Sequence, residues 1–131
     1  MIKEDRVTFE IAKLLRDKGF SQNTFEIDCN VCYKYNGNLC NNAKSISGVD
    51  REISYIAPTI QMVLKWLREV HNLFVFPFPQ MNTNKFWTEI YQLSDNQEWE
   101  NLYYESIDLQ DYSTYEEACE AAIKFALEHL I

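Results

Sequence analysis

Apolar side chains recur at Val7, Ile11, Leu14 and Leu15, with Lys13, Arg16 and Asp17 on the opposite side, the spacing of an amphipathic helix. Thr8 supplies an N-cap, Glu10 stands in the first turn, and Gly19 is a C-terminal stop. A second stripe runs through Ile60, Val63, Leu64, Leu67 and Val70, flanked by Met62 and Trp66. Pro58 suits the first turn of that helix, where its missing N–H costs nothing, and Asn72 ends it. A third helix is predicted from Ser113, with Glu116 three residues on forming a capping box. Its apolar face holds Tyr115, Ala118, Cys119, Ala122, Ala126 and Leu130, with Ile123 and Leu127 beside it, while Glu117, Glu120, Lys124 and Glu128 face water. The small residues at 118, 122 and 126 let this helix lie close on a sheet.

Between the helices the period shortens. The runs 73-LFVFPF-78, 86-FWTEIYQL-93 and 99-WENLYYES-106 have strand length and strand composition. Pro77 and Pro79 belong at an edge or a strand end, because proline cannot donate to a ladder. The turn 94-SDNQ-97 makes the last two runs an antiparallel pair. Upstream, Asn36-Gly37 between 31-VCYKY-35 and 38-NLC-40 reads as a two-residue hairpin turn whose central residues both take positive φ. A polar loop, 41–50, and a short extended piece, 52-EISYI-56, follow. In order, the chain reads as helix, hairpin, strand, helix, three strands, helix. With no repeat, linker or low-complexity tract, the expectation is one α+β domain over residues 1–131. Its antiparallel sheet has three or more strands, and an α-β-β-β-α core follows the N-terminal helix and hairpin.

Composition adds exclusions. The 131 residues are 47% apolar and 15% aromatic, a folding composition. No run reaches the roughly 18 apolar residues of a membrane span, and the charged start MIKEDRVTFE lacks the apolar segment of a secretory signal. The expected location is the cytoplasm, and the four cysteines are expected as thiols. The net charge of −8 is uneven: residues 73–131 hold Lys85 and Lys124 against eleven acidic residues. Binding to a nucleic-acid backbone requires cations, so direct nucleic-acid binding is not expected there.

The stretch 29-CNVCYKYNGNLC-40 is the strongest hint of chemistry. Structural zinc needs four donors, usually as two close pairs. Cys29 and Cys32 make one pair, but Cys40 has no neighbouring Cys or His, and Cys119 sits on a helix's apolar face as a small hydrophobe. A redox C-x-x-C needs a helix N-terminus, whereas this one runs into a strand and turn, where residues three apart point to opposite faces. The reading is a hairpin whose thiols, Cys29, Cys32 and Cys40, are reduced and metal-free. His71 and His129 each end a helix, where the dipole favours histidine. Asp95, Glu98 and Glu100 surround a turn as solvated charges, and neither a nucleophile motif nor a phosphate-binding glycine loop is present. No catalytic residue, metal or cofactor is expected.

What remains is aromatic. Phe86, Trp87, Tyr91, Trp99, Tyr103 and Tyr104 fall on the last two strands, with Trp87 and Tyr91 on one face and Phe86 and Ile90 on the other. Since monomers rarely expose large apolar patches, both faces are expected to be covered, the second by the first helix and the hairpin. Trp87, Tyr91, Trp99, Tyr103 and Tyr104 are the candidate partner-binding residues.

Residues 58–131 have the element order of a double-stranded-RNA-binding domain, and the three strands followed by 112-YSTYEEACEAA-122 look like the arm-type DNA-binding domains of phage integrases. Those families rely on basic residues where this chain is acidic, so their function is not carried over. The segments 7-VTFEIAKLLRDKGF-20, 57-APTIQMVLKWLREVHN-72 and 112-YSTYEEACEAAIKFALEHLI-131 resemble a family of small proteins of phage and prophage regions of gut bacteria. That family has no assigned activity, so the resemblance implies a phage accessory role and no site residues. The expected function is non-enzymatic binding of a host or phage protein, as a monomer or a dimer. The alternatives are an acidic nucleic-acid mimic that occupies a DNA- or RNA-binding protein, and a small hydrolase or transferase with an unrecognised site.

Overall fold

Thr8 starts the first helix, as its cap position predicts: its hydroxyl accepts from the Ile11 N–H at 3.4 Å at the head of α1 (Phe9–Asp17). The computed structural model describes residues 2–20, 31–40, 55–102 and 112–131. The fold is α+β, with two antiparallel sheets of three strands, and the chain forms two compact units, 1–59 and 60–131. In the first unit α1 ends in paired bonds, Gly19 N–H to Arg16 O and Phe20 N–H to Leu15 O. That closure places Gly19 at φ +92°, a conformation other residues adopt only with strain. Val7, Ile11, Ala12, Leu15 and Phe20 are buried.

The small sheet has the order β2-β1-β3, from β1 (Cys32–Tyr33), β2 (Leu39–Cys40) and β3 (Tyr55–Ile56). The hairpin is present, but its turn is not the expected one. Lys34 N–H donates to Asn38 O and Gly37 N–H to Lys34 O; only Gly37 takes positive φ (+88°). The loop therefore spans Tyr35, Asn36 and Gly37, the three-residue form that places a single residue in the left-handed region. Asn36 instead braces the turn, its Oδ1 accepting from Asn38 N–H at 3.0 Å. Phe9 packs edge-on or tilted against Tyr33 and Tyr55, at 5.6 and 5.7 Å. The Tyr33 hydroxyl donates to Val7 O at 2.7 Å. Pro58 does not open the second helix. Its carbonyl accepts from Val7 N–H at 3.1 Å, and Thr59 bridges to Arg6, so the segment is held extended.

In the second unit α2 runs Ile60–His71, burying Ile60, Val63, Leu64, Trp66 and Leu67. The stripe is rotated from the sequence expectation: Trp66 is 1% exposed and central, whereas Val70 is 52% exposed. Asn72 stops the helix at φ +56°, its amide donating to Leu93 O at 2.9 Å. The sheet has the order β4-β5-β6, from β4 (Leu73–Pro79), β5 (Phe86–Leu93) and β6 (Trp99–Asn101). As expected, β5 and β6 are antiparallel, and the proline strand β4 is at an edge. The α-β-β-β-α order is completed by α3 (Tyr115–Phe125) and a π-helical turn, Ala126–Leu130. The cap of α3 falls one residue later than predicted: Thr114, not Ser113, accepts from Glu117 N–H, at 3.0 Å. Two overlapping capping patterns, Ser113/Glu116 and Thr114/Glu117, compete here. The later one buries Ala118, Cys119, Ala122, Ile123, Ala126 and Leu127 together and leaves Tyr115 at 37% exposure.

This helix packs on β4 and β5. The sheet side carrying Leu73, Thr88 and Ile90 is buried, and the alanines of α3 permit a close approach. Thr88 is 1% exposed, and its hydroxyl has no hydrogen-bond partner. Leaving a buried hydroxyl unsatisfied costs about 1–3 kcal/mol. Thr88→Val keeps the shape and removes the hydroxyl, so it is expected to raise the free energy of urea unfolding by about 1 kcal/mol.

His71 supplies a second check. Its ring stands edge-on to Trp66 at 4.5 Å, and its buried Nε2 has no partner. Burial lowers its pKa from 6.5, because the charged ring loses hydration. In the window between the lowered folded pKa and 6.5, the unfolded chain binds the proton and the folded chain does not, so acid favours unfolding. The His71 contribution to stability is therefore full above 6.5 and declines as pH falls through that window. Urea unfolding across pH 5–8 is expected to show this loss in the native chain and not in His71→Phe, which keeps the aromatic contact.

Candidate functional site

Residues paired across an antiparallel ladder share a face, and alternate residues along a strand do too. The register pairs Phe74 with Tyr91, Phe76 with Glu89 and Phe78 with Trp87 on β4 and β5. On β5 and β6 it pairs Tyr91 with Asn101 and Leu93 with Trp99. One sheet face thus carries Phe74, Phe76, Phe78, Trp87, Tyr91 and Trp99, with Glu89, Leu93 and Asn101. Leu73, Thr88 and Ile90 lie on the other, buried face.

The aromatic side is open. Phe76 is 41%, Phe78 36%, Trp87 38% and Trp99 54% exposed. The rings brace one another at steep angles. Phe74 meets Trp99 at 5.0 Å and 89°, Phe76 meets Tyr91 at 5.7 Å and 66°, and Phe78 meets Trp87 at 6.2 Å and 52°. The first two are edge-to-face pairs and the third is tilted; the ring quadrupole favours edge-to-face contacts of this kind. The Tyr91 hydroxyl donates to Glu89 Oε2 at 2.7 Å. That bond, with burial and the carboxylate's charge, raises the Tyr91 pKa from 10.0, so the phenol keeps its proton and its donor at neutral pH.

Of the five candidate residues, the structure brings Trp87, Tyr91 and Trp99 onto this face; Tyr103 and Tyr104 lie outside the described residues. The sequence reading missed Phe74, Phe76 and Phe78, although the signal was present. Alternation in 73-LFVFPF-78 puts the three phenylalanines on one side and Leu73, Val75 and Pro77 on the other.

The other candidate chemistry stays dispersed. Cys32 and Cys119 are buried thiols, and burial pushes the Cys119 thiol up to about 11, away from the reactive thiolate. Cys29 lies outside the described residues. Among the described residues, no group of three or more His, Cys, Asp or Glu is placed to hold a metal ion. Asp95, Glu98 and Glu100 are exposed around the β5–β6 turn. His129 is exposed, with Nε2 at 3.8 Å from Glu128 Oε2. No described helix is long and apolar enough to cross a membrane. Comparison with protein-family models, with curated proteins and with solved structures gave no match.

Proposed function

We propose that this chain is a non-enzymatic binding protein of the cytoplasm, and that the aromatic face of the β4-β5-β6 sheet is its docking surface for another protein. The observation that carries the reading is six aromatic rings on one open face, four of them more than a third exposed. Folded monomers seldom leave such a patch to water, and Trp and Tyr are the side chains that most often dominate binding energy at protein interfaces. The backing favours rigidity: α3 covers the opposite face, and the interlocked rings lose little freedom when a partner closes over them. The resemblance of 57–72 and 112–131 to phage and prophage proteins makes the partner a host or phage protein, met in an accessory role.

The test is affinity capture from bacterial lysate, run in parallel with the native chain and a face variant, Phe76→Thr/Trp87→Thr/Trp99→Thr. Threonine keeps strand propensity while removing the rings. A protein retained by the native chain and absent with the folded variant supports the proposal; identical captures overturn it.

A further inference from the structure

The aromatic face carries one carboxylate among the described residues, that of Glu89, and it stands within the ring field. Phe76 is its cross-strand partner, and Trp87 and Tyr91 are its same-face neighbours along β5. Its contact is the Tyr91 hydroxyl at Oε2, which steadies the carboxylate and leaves other lone pairs for a second donor. Lys85 and Lys124 are the only Lys or Arg from 73 to 131, and among the described residues the ion pairs formed by Lys65, Lys124 and His129 do not involve Glu89. A half-buried charge with a neutral partner is incompletely compensated. Electron-rich ring faces beside it attract cations as well.

From this arrangement we infer that the docking partner presents an arginine side chain to Glu89, seated among Phe76, Trp87 and Tyr91. The inference rests on the docking role proposed above and names its chemistry. Arginine fits better than lysine because its planar guanidinium can stack on a ring while donating in-plane to a carboxylate, and it is more weakly hydrated than an ammonium. The net charge of the stretch from residue 73 onward, with eleven Asp and Glu against two Lys, favours approach of a basic segment.

Three blocked tripeptides, Leu-Arg-Leu, Leu-Lys-Leu and Leu-norleucine-Leu, separate the possibilities when titrated into the full chain with the Trp87 indole N–H followed by NMR. The arginine peptide is expected to bind about tenfold more tightly than the norleucine peptide, matching one desolvated cation contact of this type, with the lysine peptide between them. Glu89→Gln is expected to remove the arginine advantage, and Tyr91→Phe, which frees the carboxylate but keeps its charge, to reduce it. An arginine advantage that survives Glu89→Gln, or equal binding of arginine and lysine peptides, overturns the inference. If the norleucine peptide shifts Trp87 as strongly as the arginine peptide, the arginine inference fails while the docking face stands. If none of the three reaches Trp87, both fail.

Discussion

Trp66→Ala is expected to cost about 3–5 kcal/mol of stability, the range for deleting a large buried aromatic side chain. Trp66 is 1% exposed on α2 and packs edge-on to His71, so truncation removes a large buried side chain and leaves a cavity in its place. Against a typical total stability of about 5–15 kcal/mol, that loss removes a large fraction. Urea unfolding checks it directly: the midpoint falls while the slope is unchanged, the signature of lost stability without altered compactness of either state. A loss below about 1 kcal/mol, the scale of an ordinary surface change, contradicts the burial described.

The face variant Phe76→Thr/Trp87→Thr/Trp99→Thr is expected to do the opposite. Each of its three residues is more than a third exposed, so the stability lost per residue is smaller than for Trp66→Ala, while affinity for the protein partner falls by about 2 kcal/mol or more, roughly thirtyfold, as for interface hot spots. Comparing it with Trp66→Ala separates the two roles of tryptophan in one small protein. Trp66 is buried in the core, whereas Trp87 and Trp99 belong to the proposed docking face. Calorimetric titration of the captured partner into native and variant chains measures the loss. Equal affinities place the binding energy elsewhere.

The sequence made the element order and strand pairing legible because local signals agreed with the fold: Thr8 and Gly19 bracket α1, Asn72 stops α2, and the prolines sit on the edge strand β4. It was less informative about rotation and turn form. Trp66 and Val70 are both compatible with an amphipathic stripe, and only packing decides that the larger ring goes inside. Asn36-Gly37 fits two hairpin forms that differ by one residue in the loop, and the pairing of Lys34 with Asn38 selects between them. The Pro58 expectation failed for a non-local reason, since its carbonyl is engaged by Val7, fifty-one residues away in sequence. Half the aromatic face was read from β5 and β6. The other half was missed because 73-LFVFPF-78 was read only as a strand-length run, and the register is what aligns Phe74, Phe76 and Phe78 with Tyr91, Glu89 and Trp87. Whether an apolar face is covered is a tertiary property that no alternation along a single strand specifies.

Site-directed photocrosslinking tests the docking face most directly. A benzophenone side chain is placed at Trp87 in the native background and, separately, at Lys65, an exposed position on α2. Illumination in bacterial lysate is predicted to yield a discrete covalent adduct with one protein from position 87 and none from position 65. No adduct from position 87, or the same adducts from both positions, contradicts the account.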